Sequence, residues 1–140
     1  MSQHTPTATF QRHIDVQADE PYLIEGLPGH GLVAAIATDL VTRQLELEHY
    51  GSIVSDEFPS VAPFKDGRVQ DLVRVYARAE PPVMTLQSDV ALPGRAFDPL
   101  ANCVLEELAN EFERVIFLTG APAENEAEIG DVFGVATTDE

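Results

Sequence analysis

The sequence predicts an α/β fold, a three-layer α/β/α arrangement built on a mixed sheet, and three observations carry that reading. Short apolar runs alternate with two segments of helical periodicity. Most of those runs lack strict polar alternation, as expected of strands covered on both faces. Glycines punctuate the strand ends, and an Asp-Gly turn inserts an antiparallel hairpin, which makes the sheet mixed.

Residues 1–9 show no periodicity and read as a flexible N-terminus ahead of a single domain over 10–137, with residues 138–140 an acidic end. Phe10, Arg12, Ile14 and Val16 alternate and predict a first strand. Tyr22 to Leu27 is a short apolar strand that runs into Gly26, Leu27, Pro28, Gly29, His30 and Gly31, where glycines and proline stop any regular element. From Leu32 the period becomes helical: Val33, Ile36, Ala37, Leu40, Val41 and Leu45 fall on one face, assigned to the core. Thr38, Asp39, Thr42 and Arg43 are assigned to solvent. Residues 50–55 predict a strand, and 56–63, with two prolines, a surface loop. Asp66-Gly67 predicts a tight hairpin turn with a positive φ at both positions, followed by an alternating strand to about Ala79. After Pro81-Pro82 the run Val83 to Leu86 is a short strand, broken again at Pro93-Gly94.

Asp98 reads as an N-cap with Pro99 at the first helical position, and Ala101, Val104, Leu105, Leu108, Ala109 and Phe112 as the buried face of the second helix. Val115, Ile116, Phe117 and Leu118 form a continuous apolar run typical of a strand inside a parallel sheet. Val132, Phe133, Gly134, Val135 and Ala136 predict one more central strand. No helix follows to cover that face, so the fold reads as incomplete.

Composition excludes several function classes. With 44% hydrophobic residues the chain can bury a core of its own. Eight basic against 24 acidic side chains leave a net charge of −16, which repels a phosphate backbone and excludes nucleic acid as a partner. No apolar run is long enough to span a membrane, and the polar N-terminus is unlike an export signal, so a cytoplasmic protein is expected. The single Cys103 forms no internal disulfide and no zinc cluster. Acid is spread over the whole chain and Lys65 is the only lysine, a surface suited to molar salt; the expected source is a halophile, and the alternative is an ordinary acidic protein.

The loop containing Gly26, Pro28, Gly29, His30 and Gly31 is the candidate ligand site, because the first N–H groups of the helix that follows are unpaired and attract anions. Its glycine spacing matches neither the dinucleotide fingerprint nor the P-loop. The competing reading is that these glycines only permit a tight turn and close helix packing. His30 is a candidate acid or base by residue type, and an ordinary exposed histidine by position. Asp56 and Glu57 are adjacent and do not face one another as a working carboxylate pair. Ser52, Ser55, Ser60 and Ser88 lack a nucleophile elbow, and Cys103 sits on an apolar helix face. His4, His13, His30 and His49 have no metal-ligand spacing, so neither a catalytic set, nor a metal, nor a cofactor is expected. Phe58, Pro59, Val61, Pro63 and Phe64 form a stiff apolar loop ringed by charge, suited either to a protein contact or to capping the core.

These residues resemble the proteasome assembly chaperone family, in particular archaeal relatives of the eukaryotic second assembly chaperone. The matching features are Leu27-Pro-Gly-His-Gly-Leu-Val33, the Gly51-Ser-Ile block, Phe58-Pro59 ahead of Asp66-Gly67, and Val132-Phe-Gly-Val-Ala-Thr137, over roughly residues 22–137. The resemblance implies a core similar to nucleoside phosphorylases without their catalytic apparatus. It further implies a non-catalytic assembly or protein-binding role, with proteasome subunits or a paralogous chaperone as partners, and homo-oligomers. Family chains are longer, so this one corresponds to their N-terminal portion, and it lacks the hydrophobic-Tyr tail with which some relatives dock. The alternative function is a nucleoside-phosphorylase-like enzyme or a binder of a small anion at the glycine loop.

Overall fold

A computed structural model describes residue 5 and residues 7–139. Its elements are β1 (Ala8–Arg12), β2 (Tyr22–Glu25), α1 (Val33–Gln44), β3 (Glu48–Ser55), β4 (Phe64–Lys65), β5 (Arg68–Val69), β6 (Val73–Arg78), β7 (Val83–Ser88), α2 (Phe97–Cys103) and β8 (Arg114–Phe117). Six strands form one mixed sheet in the order β1-β3-β6-β7-β2-β8, and β4 and β5 form a separate two-stranded arm. The β2 strand is parallel to both neighbours, whereas β1, β3, β6 and β7 pair antiparallel in sequence. Much of the expected loose stretch over 1–9, and Glu140 of the expected acidic end, lie outside the described residues.

The sheet separates two helical layers. Thr85 and Gln87 of β7 hydrogen-bond Thr42 of α1, while Met84 and Leu86, of the opposite parity, share the core with Leu100 and Cys103 of α2. Leu23, Ile53, Met84, Val73, Val75 and Leu108 are the largest fully buried apolar side chains. The predicted α/β/α class is what the chain adopts.

Several local expectations are corrected. The first strand ends at Arg12 and not near Val16, because the His13 and Ile14 amides both turn onto the Tyr50 carbonyl. The α1 assignment is partly inverted: Ala34, Thr38 and Thr42 are buried and Val33, Ile36 and Leu40 are exposed, while Arg43 faces solvent as expected, paired with Asp39. The reason is close approach. Helix α1 crosses the end of β2 at Gly26, where an added Cβ would fall inside the envelope of the Thr38 side chain and 2.8 Å from its Cγ2. Only small residues fit such a contact, and the Thr42 hydroxyl is satisfied by the Thr38 carbonyl at 2.8 Å and Thr85 Oγ1 at 2.9 Å.

Asp98 is not the N-cap of α2. A 3₁₀ turn over Gly94–Ala96 leads in, the helix starts at Phe97, and Asp98 sits in its first turn, where its charge still suits the dipole. The helix continues as a π-helical turn over Val104–Leu108, which shifts its faces: Leu108 is buried, whereas Ala101 and Leu105 are exposed. The Asp66-Gly67 turn has φ of 52° and 74°, as predicted, but its arms are two residues long. The Gln70 amide closes back onto the Pro63 carbonyl at 2.8 Å, and the main-sheet strand restarts at Val73. Residues 132–136 form no strand in the structure, and Val132, Phe133 and Val135 are almost fully exposed. A strand cannot persist without a pairing neighbour to take its backbone groups.

Candidate functional site

The glycine loop lies where β2 ends, beside the end of β8. From β2 the chain leaves through α1 toward β3 on one side, and from β7 it returns through α2 to β8 on the other, which makes this carboxyl edge a topological switch point. Gly31 has φ 65° and Leu32 φ 56°, two consecutive left-handed residues that turn the chain into α1. At Gly120, just past β8, a Cβ would press on the His30 carbonyl and come within 2.9 Å of Val33 Cγ2, so this end of β8 braces the loop.

Part of the loop's donor capacity is already used. The Gly26 amide donates to the Leu86 carbonyl at 3.0 Å, Leu32 to the Gly29 carbonyl at 3.1 Å, and Leu27 to Glu25 Oε1 at 2.9 Å. Burial raises the Glu25 carboxyl above the ordinary carboxylate value, with the Leu27 N–H pulling the other way. Its charge, when present, opposes an anion at this loop. Gly29, His30 and Gly31 are exposed, so an incoming group can reach them.

Beneath the loop, Thr38 Oγ1 is buried and finds no hydrogen-bond partner among the described residues. A Thr38→Val substitution keeps the shape and removes the unsatisfied hydroxyl. It is expected to stabilise the fold by about 1 kcal/mol in urea denaturation, and a loss of stability would mean that the hydroxyl is satisfied.

Tertiary pairing assembles a polar cluster that local spacing could not reveal. His13 Nε2 and His49 Nε2 each lie 3.1 Å from Ser52 Oγ, their rings 4.8 Å apart, and Asp71 Oδ2 is 3.6 Å from His13 Nε2. Serine, histidine and aspartate are present, but the same imidazole nitrogen faces both Ser52 and Asp71. A relay requires opposite nitrogens, and the Ser52 side chain is completely buried. Burial lowers the His49 pKa, nearby His13 and Arg74 add to this, and the Gly51 carbonyl and Asp71 oppose it. Among the described residues no three His, Cys, Asp or Glu side chains gather as a metal site. Cys103 is buried with its thiol pushed up to about 12, chiefly by burial and then by Glu107, whose Oε2 accepts from Sγ at 3.1 Å; it stays protonated and unreactive. Glu57 pairs with Arg95 at 3.3 Å, and Asp56 is exposed, so the adjacent carboxylates do not act together.

The 58–64 loop divides between the two roles expected of it. Phe58 belongs to the core, and Pro59 and Pro63 are half-buried. Val61 and Phe64 are exposed, and Phe64, at 77%, pairs across the arm with Val69, at 61%. The alternation after Asp66-Gly67 marks Val69 as a strand residue, and the hairpin's position outside the main sheet leaves it exposed.

The sequence profile described as the PAC2 family matches residues 23–140. The chain belongs to the PAC2 family. This PAC2 protein is 25% identical over 131 residues to an uncharacterized protein of Methanocaldococcus jannaschii, covering 94% of this chain and 53% of the relative. In fold it is similar to Pyrococcus furiosus PbaA, described as an archaeal homolog of proteasome-assembly chaperone. The TM-score is 0.70 at 23% identity, over 84% of this chain and 50% of that one. Pyrococcus furiosus PbaB, described as an archaeal proteasome activator, superposes with a TM-score of 0.66 at 20% identity, over 79% of this chain and 50% of that one. The chain thus spans about half the length of the relatives it matches.

Proposed function

We propose that this PAC2 protein is a non-catalytic binding protein in proteasome assembly, and that the β4–β5 arm makes the contact. The observation that carries the proposal is the arm itself. Phe64 and Val69 form an exposed apolar pair across a hairpin that lies outside the main sheet, with Lys65, Asp66 and Arg68 beside them in sequence and Val61 exposed in the proline-containing loop that leads in. A stiff apolar element loses little conformational freedom on docking, so the energy of burying its side chains is available for binding. Family membership and the descriptions of PbaA and PbaB support proteasome subunits, or a paralogous chaperone, as partners. The same reading includes a homo-oligomer acting in the cytoplasm, in an organism whose salt screens the charge of −16.

The test is a Phe64→Asp, Val69→Asp double variant, mixed in molar KCl with proteasome α-subunits of the same organism and followed by light scattering. Binding is expected to weaken by about tenfold or more while the melting temperature stays unchanged, because both side chains face water. Undiminished binding would remove the arm from the interface, and no complex with the parent protein would remove the assembly role.

A second reading, a small-anion or nucleoside-phosphorylase-like site formed by Gly26, Pro28, Gly29, His30 and Gly31, draws support from the switch-point position of that loop. Phosphate or a purine nucleoside that raises the melting temperature at constant ionic strength would favour it. The Glu25 carboxylate weighs against it.

A further inference from the structure

The few cations of this acidic chain are placed unevenly. Arg43 pairs with Asp39 at 2.9 Å, Arg95 with Glu57 at 3.3 Å and Arg78 with Glu46 at 3.8 Å, while Glu111 holds Arg12 and Asp89 holds Arg74. Lys65 and Arg68 have no carboxylate partner among the described residues, although Asp66 lies between them in the turn. The two stand directly opposite each other across the β4–β5 arm, next to the Phe64–Val69 pair. Like charges in that position repel and weaken a hairpin. A two-residue ladder outside the main sheet has little to set against the repulsion. Strand alternation places Phe64 and Val69 on one face of the arm and Lys65 and Arg68 on the other, and all four residues are exposed.

We infer that the arm takes an acidic, extended segment of another protein, whose carboxylates meet Lys65 and Arg68 and whose apolar side chains meet Phe64 and Val69. This rests on the arm being the contact surface and adds the chemistry of what it contacts. Charge complementarity carries it. A carboxylate docked between Lys65 and Arg68 relieves their repulsion and gains charge-assisted hydrogen bonds, whereas a neutral or basic segment leaves the two cations opposed. The extended form follows from the arm's shape: the outer edges of β4 and β5 have no strand neighbour, and the alternating side chains of an added strand match the arm's two faces. Elsewhere the net charge of −16 repels such a segment, which confines it to the arm. At 1 M salt that long-range repulsion is screened beyond about 3 Å, while pairs partly buried by docking are screened much less.

Amide chemical shifts of the full 140-residue chain in 1 M KCl test this, with three synthetic peptides of alternating Glu-Val, Gln-Val and Lys-Val sequence as probes. Only the Glu-Val peptide is expected to move the amides of residues 64–69. A Lys65→Gln, Arg68→Gln variant, altered only where the chain is exposed, is expected to bind it about fivefold more weakly at an unchanged melting temperature. The exchange Lys65→Arg, Arg68→Lys keeps both charges and is expected to keep the binding. Equal shifts from the Gln-Val or Lys-Val peptide, no shift at 64–69 from any of the three, or full binding by the Gln variant would overturn the inference. Shifts at 64–69 that grow with protein concentration in the absence of peptide would also overturn it, since the occupant would then be a second copy of this chain. Proteasome α-subunits separate this inference from the assembly role. If the parent binds them and the Gln variant binds equally well, the acidic partner is wrong and the assembly role stands; if the parent does not bind them while the Glu-Val peptide still shifts 64–69, the assembly role is wrong and the acidic partner stands.

Discussion

Gly26→Ala is expected to cost about 3 kcal/mol in urea denaturation, well above a typical surface change. The new methyl has no room: it would overlap the Thr38 Cβ and Oγ1, and the helix would have to lift from β2. Thr38→Ala would not relieve the overlap, because its own Cβ is among the atoms met. Thr38→Gly would, and the double variant should regain more than half of the loss, less the roughly 1 kcal/mol that a helical glycine costs. Gly29→Ala provides the contrast, since a Cβ there meets nothing within 4 Å and its φ of −144° suits any residue. A neutral Gly26→Ala would detach this glycine from close packing and shift weight to the ligand reading of the loop.

Removing Asp89 should be nearly as damaging, and more damaging than removing the arginine it holds. Arg74 is 5% exposed; its guanidinium is clamped by both Asp89 oxygens, donates from Nε to Tyr76 Oη at 3.0 Å, and from Nη1 to the Asp71 carbonyl at 2.8 Å. Burial alone would lower its pKa, but the bond to Asp89 and the neighbouring Tyr76 outweigh it, so the cation is held. Asp89→Ala strands that cation and is expected to cost about 3 kcal/mol. Arg74→Met leaves Asp89, whose side chain is 38% exposed, to be solvated, and is expected to cost less. Equal losses, or a loss below about 1 kcal/mol for Asp89→Ala, would show that the clamp is not desolvated.

Reading the chain without its tertiary partners succeeded where the signal is local. The Asp66-Gly67 turn, the strands at β2, β3, β7 and β8, and the buried Cys103 follow from turn chemistry, apolar runs and periodicity, each of which acts over a few residues. It failed where a neighbour decides. Val33, Ile36 and Leu40 have the periodicity of a core face, yet Ala34, Thr38 and Thr42 are buried, because the distance between α1 and β2 admits only small side chains and β7 offers hydroxyl and amide partners. Arg74 sits in an alternating strand as an ordinary polar residue, and nothing nearby in sequence announces Asp89.

The candidate sites divide the same way. The glycine loop was legible because glycine, proline and the start of a helix are consecutive. The His13, Ser52 and His49 cluster was not, since β1–β3 pairing brings together residues that lie far apart along the chain. The 58–64 loop was legible as apolar and stiff, but only packing could turn Phe58 inward and Phe64 outward. By itself the sequence determined the α/β class, the strand and turn chemistry and the strongly acidic composition, because these depend on short-range sterics and on residue counts. Which face of α1 is buried, which ion pair is desolvated and which edge of the sheet stays open were decided by tertiary structure, because each depends on the shape and partners offered by residues distant in the chain.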